Sequence, residues 1–355
     1  MNGKKLTYLA AILIIAIAVL YLGDKLGKKA PSDSELQFIP GINKDVIGSV
    51  LLTEGTKKIK IRKQGEVWMV SQPASSMQDE KSTDNTALLG SDSASATDSN
   101  GSAAKEYPTD SAAITSILEK VTALKKNVKV SENPEKQKIF EVDSAKGIIV
   151  ELADNSGKAL GSFVIGKSGA DYNSHYVRSM GSNSVYLAAG GIRNACFTDL
   201  KRWRNKEIVR FDKATAKGVT LVKKDGSMIT LAHSDSGNPW MIIEPAKNPA
   251  KTEAVDEILS KLSMLNATEF QDEVLADTAM GFDKPELGVT VSFNNGSSRN
   301  VIFGKKSSDN KYWVKTDDKD QIYLISEYYF NQINKKLDDL KGEPLVKPVE
   351  KDSKK

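Results

Sequence analysis

A short string occurs twice in this chain: Trp68-Met69-Val70-Ser71-Gln72-Pro73 returns as Trp240-Met241-Ile242-Ile243-Glu244-Pro245. No other feature limits the fold as strongly, because a distinctive string with matching flanks implies one module present in two copies. Ahead of Trp68, Val50 and Leu52 alternate at strand period, then Ile59 and Ile61, with turns at Glu54-Gly55 and Gln64-Gly65-Glu66. Ahead of Trp240, Val219 and Leu221, then Ile229 and Leu231, do the same. Pro73 and Pro245 each end a third strand, since proline offers no ladder donor.

Downstream, Pro108-Thr109-Asp110 supplies helix-start chemistry. Ile114, Ile117, Leu118, Val121 and Leu124 then recur at helical spacing, with Ser116, Glu119, Lys120 and Lys126 opposite. Val255, Ile258, Leu259, Leu262 and Leu265 repeat that stripe at one constant offset. The link from proline to helix differs between copies. It is Ala246 to Ala250 in the second, whereas the first carries Ala74 to Glu106, rich in Ser, Asp, Ala, Thr and Gly. This stretch reads as a disordered insertion and a tolerated surface loop. Next comes a strand with Ile148, Val150 and Leu152, a turn at Asp154 to Gly157, and a return through Phe163 to Ile165. Gly147-Ile148 pairs with Gly288-Val289 and Gly166-Lys167 with Gly304-Lys305. Tyr176-Val177 pairs with Trp313-Val314, and Val185-Tyr186-Leu187 with Ile322-Tyr323-Leu324. Phe197 to Trp203 and Tyr328 to Leu340 are predicted closing helices. The pattern predicts an α+β protein: two tandem repeats of an antiparallel sheet packed with an amphipathic helix, over 46–210 and 211–342, then a disordered tail, 343–355. Both tryptophans, central in strand patterns, are expected in the cores.

The amino terminus predicts an anchor. Leu6 to Leu22 is uncharged and just long enough to span a bilayer, with Tyr8 and Tyr21 near its ends. A cleavable signal peptide needs small residues before its cut, and Lys28-Lys29-Ala30 does not supply them. Residues 6–22 are therefore expected to be an uncleaved transmembrane signal anchor, with 1–5 as a cytoplasmic tail and 23–45 as a stalk. Flanking lysines nearly balance, but a very short basic tail favours the cytoplasm. The expected location is the inner (plasma) membrane, single-pass, with the large domain outside the cytoplasm.

A Trp-aliphatic-x-x-Pro string, an amphipathic helix, a turn around Gly281 to Pro285, a Gly-Lys turn, and a Tyr-x-Val then Val-Tyr-Leu pair recur in that order. This succession resembles the membrane-anchored family catalogued as domain of unknown function 4340, from Val46 to Gly342. The resemblance implies an anchor near the amino terminus and an association with ABC-type transporter components or gliding-type auxiliary domains. It implies no catalytic residues. The insertion at 74–106 departs from the compact family pattern.

The remaining motifs lead to eliminations. A net charge of +4 over 355 residues gives no case for nucleic acid. Gly161 to Ser168 satisfies the P-loop pattern, but its interior Phe163-Val164-Ile165 reads as a strand and Gly169 to Asn173 as a turn, whereas a phosphate loop must open a helix. No nucleotide is expected. His175 and His233 lie in different halves, and Asp317-Asp318-Lys319-Asp320 lacks the glycine and distal glutamate of a calcium loop. Cys196, the only cysteine, sits beside Phe197 as a small buried hydrophobe would. Lys201-Arg202-Trp203-Arg204-Asn205-Lys206 is a basic and aromatic cluster, read as an exposed helix end with Trp203 packed inward, or as a contact for anionic lipid or a partner. No catalytic, cofactor-binding or metal-ligating residue is assigned. The expectation is a non-enzymatic accessory or scaffold protein of an envelope transport complex of ABC type, acting by protein contacts. Alternatives are a binding module for an envelope polysaccharide or lipid and, last, a hydrolase.

Overall fold

The structure is a computed structural model and describes residues 36–73, 104–233 and 239–343. The expected cytoplasmic tail and signal anchor, residues 23–35 of the stalk, residues 74–103 of the insertion and the tail from 344 lie outside the described residues. No helix among the described residues is long and apolar enough to cross a membrane. The chain divides into two compact units, Met1–Arg204 and Asn205–Lys355, a division just ahead of the expected break at 210/211.

The first unit is a nine-stranded antiparallel sheet. Its elements are β1 (Ser49–Glu54), β2 (Lys57–Gln64), β3 (Val67–Ser71), β4 (Glu106–Pro108), α1 (Ser111–Ala123), β5 (Val128–Ser131), α2 (Gln137–Phe140), β6 (Ile148–Ala153), β7 (Ala159–Ser168), β8 (His175–Ser179), β9 (Val185–Ala188) and α3 (Leu200–Trp203). The strand order is β4-β3-β2-β1-β6-β7-β8-β9-β5. Two meanders thus meet where β1 pairs β6. Leu52 lies between Ile59 and Val150, so three apolar alternations face the same side. Onto that side α1 lays Ile114, Ile117 and Val121. Asp110 caps it by accepting the Ala113 N–H. Each such aliphatic side chain removed from water contributes about 1.5–3 kcal/mol.

The second unit repeats the plan. It contains β10 (Glu207–Arg210), β11 (Ala216–Lys223), β12 (Met228–Ala232), β13 (Met241–Glu244), β14 (Asn248–Pro249), α4 (Thr252–Leu262), β15 (Met264–Asn266), β16 (Glu269–Gln271), α5 (Asp277–Met280), β17 (Leu287–Phe293), β18 (Ser298–Lys306), β19 (Lys311–Thr316), β20 (Ile322–Ser326), α6 (Glu327–Ile333) and α7 (Leu337–Leu340). Its sheet runs β14-β13-β12-β11-β17-β18-β19-β20-β16, the same topology strand for strand. Leu221 lies between Ile229 and Val289, as Leu52 lies between Ile59 and Val150.

That register corrects one pairing. Since Leu52 matches Leu221, Val150 matches Val289, and Ile148 matches Leu287 rather than Val289. The glycines beside them are not equivalent. A Cβ on Gly147 would meet the Val164 side chain at 2.2 Å, whereas Gly288 has 3.8 Å of clearance from Val222. The stalk boundary also moves. Phe38 and Ile42, expected in the stalk, are buried in the first core, and the Lys126 N–H donates to the Leu36 carbonyl at 2.8 Å. In the second unit the Ala267 N–H donates to Lys206 at 2.7 Å in the corresponding place. Each module therefore begins at this strap rather than at Val46 or 211. Glu106, assigned to the insertion, belongs to β4 and is paired with Arg62.

The expected helices are shorter than the apolar patterns suggested. α4 ends at Leu262, so Leu265 fills its core position from β15, opposite Val209. Leu124 is the C-cap of α1 and not a helical residue. Phe197 to Trp203 is helical only over α3, capped by Asp199. Tyr328 to Leu340 breaks at Asn334, giving α6 and α7. The two signature tryptophans also differ in environment. Trp240 is 7% exposed and meets the His233 ring edge-on at 4.4 Å, whereas Trp68 is half-buried at the margin of its core. Trp240→Ala is expected to cost about 3–5 kcal/mol in denaturant unfolding, with a smaller loss for Trp68→Ala. Equal losses would contradict the difference in burial.

Candidate functional site

The P-loop look-alike is a structural device. Gly161 to Ser168 lies entirely within β7, and a hairpin turn follows it instead of a helix. A Cβ on Gly166 would come within 2.1 Å of the carbonyl oxygen of Phe140, the last residue of α2. Gly304 stands in the same relation to Met280, the last residue of α5, at 2.2 Å. The repeated Gly-Lys string therefore marks where a helix end rests on a strand, leaving no room for a side chain.

The basic and aromatic cluster does not form one surface. Trp203 is fully buried and donates its indole N–H to the Phe197 carbonyl at 2.8 Å. Arg204 is also buried, its guanidinium 3.7 Å from the centre of the Tyr107 ring. Arg202 lies over Phe197 at 3.9 Å, and Lys201 and Lys206 point to solvent. The inward tryptophan matches the sequence reading; the buried Arg204 was not foreseen. Cys196 is fully buried, and burial pushes its thiol up to about 12. A thiol so poorly ionised is a packing residue. Among the described residues no three His, Cys, Asp or Glu side chains are grouped to hold a metal ion. In the Asp317 to Asp320 turn, Asp317 accepts from the Asn300 amide and Lys319 donates to the carbonyls of Glu207 and Ile208.

Two titratable groups have surroundings that sequence reasoning did not place: His175, weighed there as a metal ligand, and Lys223, not considered. In the first unit, His175 is 1% exposed. Its Nε2 lies 3.3 Å from Ser168 Oγ, and its Nδ1 has no hydrogen-bond partner. The β7–β8 hairpin brings the two residues opposite each other, a proximity that the turn between them could have indicated. They do not make a catalytic pair. The nearby Asp171 carboxylate accepts from the Ser174 N–H and hydroxyl, not from the imidazole, so no carboxylate orients the ring. Burial depresses the His175 pKa first, then the charges of Arg193 and Lys120, against an opposing effect of Asp171. Tyr312 takes this position in the second unit and stacks on Phe330 at 3.7 Å, so the fold itself does not require a histidine there. Nearby, Glu54 accepts from Arg193 and from Thr198 at 2.8 Å each.

The other group is Lys223, which burial pushes down to about 8. A depressed lysine is a candidate nucleophile or base. Here its ammonium is occupied, donating to the Asn334 amide oxygen and, at 2.8 Å, to the Lys335 carbonyl, and so caps the end of α6. An open groove of about 610 Å³ in the same unit is lined by Arg210, Phe211, Lys213, Ser260 and Met264. Its arginine is paired with Glu207, and the hydroxyl of Ser263, the buried polar residue in its lining, donates to the Ser260 carbonyl.

A family model for a domain of unknown function (DUF4340) matches residues 102–279 and 240–352. The matches together cover well over half of the chain, and the protein belongs to this family. Among curated proteins none matches. Solved structures set beside the chain include the DNA polymerase III β subunit from Pseudomonas aeruginosa, 8% identical over 81% of this chain and 94% of that one, with a TM-score of 0.12. A ligand-bound DNA polymerase sliding clamp from the same organism is 9% identical over 81% and 93%, also at 0.12. At that TM-score the likeness carries no structural argument.

Two predictions follow from these packings. Gly166→Ala and Gly304→Ala are each expected to lower stability by about 1–3 kcal/mol, while Lys167→Ala, an exposed change, leaves it unaltered; urea unfolding checks all three. For His175 the sign is set by a folded pKa below that of the unfolded chain. The unfolded state then binds the extra proton, so stability falls as pH drops below about 6.5. Thermal unfolding between pH 7 and pH 5 is expected to lose less in His175→Gln than in the parent; identical slopes would remove the histidine from the account.

Proposed function

We propose that the protein is a non-enzymatic, membrane-anchored accessory or scaffold subunit of an envelope transport complex of ABC type, acting by protein contacts. The observation that carries this reading is one fold used twice with its distinctive residues spent on packing. Gly166, Trp203, Arg204 and Lys223 are all committed to internal contacts. Duplicating such a module enlarges the outer surface while repeating the same inner requirements. The uncharged stretch from Leu6 to Leu22 supports attachment to the inner membrane, with the two modules outside the cytoplasm.

A second reading, a binding module for an envelope lipid or polysaccharide, is favoured by the open groove, whose lining sets apolar Phe211 and Met264 beside Arg210, Asp212 and Lys213. The two readings part in one experiment. Full-length protein extracted from membranes in a mild detergent is expected to bring a transporter permease with it at constant stoichiometry. Recovery of the protein alone, together with saturable binding of a lipid or glycan, would favour the second reading.

A further inference from the structure

The two modules differ at one hairpin in a way that bears on acid. In the first unit His175 opens β8, paired with Ser168 of β7 on one side and Ala188 of β9 on the other. It is 1% exposed, and its Nδ1 has no hydrogen-bond partner. A neutral imidazole can leave one nitrogen unbonded. An imidazolium has two N–H donors and a charge, and it needs acceptors for both. Ser168 Oγ, 3.3 Å from Nε2, serves at most one of them.

The neighbouring charges do not serve the other. Lys120 of α1 donates to the Gly190 carbonyl at 2.6 Å. Arg193, in the 3-10 turn Ile192–Ala195, donates to the carbonyls of Ile165 and Gly166 and to Glu54. Both cations oppose a proton on His175. The carboxylates are already engaged. Glu54, at the end of β1, accepts from Arg193 and Thr198, and Asp171, in the β7–β8 turn, accepts from Ser174. Cys196, after the 3-10 turn, is a neutral thiol. A protonated His175 is therefore accommodated only by water. Two backbone hydrogen bonds close the chain around it: Gly169 N–H to the Ser174 carbonyl at 2.7 Å, and Gly191 N–H to the Asn173 carbonyl at 2.6 Å. Residues 170–173 and 189–190 are exposed, so these segments can part without opening the core.

We propose that His175 makes this hairpin an acid-opened latch: on protonation the segments 169–174 and 189–191 part and the imidazolium meets water, while the sheet behind them stays paired. In the open form the histidine returns to its ordinary value near 6.5, whereas in the closed form burial and the two cations hold it lower. The open form binds the extra proton, so it gains as pH falls through about 6.5. One such proton raises the open population at most about 25-fold between pH 7 and pH 5. The second unit lacks the device. Tyr312 stands where His175 does, stacked on Phe330, and a tyrosine does not titrate in this range. The inference concerns the first unit alone and does not rest on the transport reading.

Amide hydrogen exchange of the full-length protein in a non-ionic detergent, read by mass spectrometry of its peptides and corrected for the intrinsic effect of pH, tests the latch. From pH 7 to pH 5, peptides spanning 168–175 and 188–194 are expected to lose protection by about threefold to 25-fold. Peptides spanning 306–312 and those from β1 and β6 are expected to keep theirs. His175→Gln, polar but without a titrating proton, is expected to abolish the loss. The comparison between the two units within the unsubstituted chain is independent of how that variant folds. No loss in the first unit, an equal loss in both, or a loss that persists in His175→Gln overturns the proposal. So does a loss shared by β1 and β6, which marks unfolding of the whole unit and not a local opening.

Discussion

The structure depends on the pairing of β1 with β6, and of β11 with β17 in the second copy. Each contact joins two meanders that are remote in sequence. Across it Leu52 meets Val150 and Leu221 meets Val289, so the apolar alternation of one meander continues into the next. A shift of one residue would turn every side chain on one side of the seam from core to solvent. The amphipathic helix between the meanders is then obliged to lie on the face where both sets of aliphatic side chains point. The cost of bringing the strands together depends weakly on the chain between them. The β3–β4 link runs from 72 to 105, and its β13–β14 counterpart from 245 to 247. The difference in closure entropy between these lengths is about 2 kcal/mol, which explains how one copy can carry a long insertion and keep its topology.

Strands were legible wherever burial alternates with period two. Val50 and Leu52, Ile59 and Ile61, Ile148 to Leu152 and their counterparts all fall where the pattern places them. The strap at Leu36 to Ile47 was not legible, because Phe38, Ile42 and Ile47 are separated by Pro40, Gly41, Asn43, Lys44 and Asp45 and follow no period. Helix ends were overextended for a related reason. Leu265 sits at helical spacing from Leu262, yet its core position is reached from a strand. The Gly147–Gly288 match failed because glycine carries no side chain whose burial could report register. At the candidate sites the sequence could reject a phosphate loop from its strand-like interior. It could not show that Arg204 is buried, since that depends on contacts across the sheet, whereas the turn between Ser168 and His175 carried a signal for their meeting that the pattern reading did not use.

One substitution between the modules reaches further than its local contacts. The final residue of β1 is Glu54, held by Arg193 and Thr198; the final residue of β11, at the same place, is Lys223, held by Asn334 and the Lys335 carbonyl. The polarity of this clasp is inverted. A tandem repeat with identical topology runs the risk that a first strand is accepted by the wrong sheet while the chain folds. A glutamate in the second clasp would confront two oxygens that need a donor, and a lysine in the first would confront an arginine. The inversion leaves each clasp matched in charge only to the strand end it holds, although the cores behind the two clasps follow one plan.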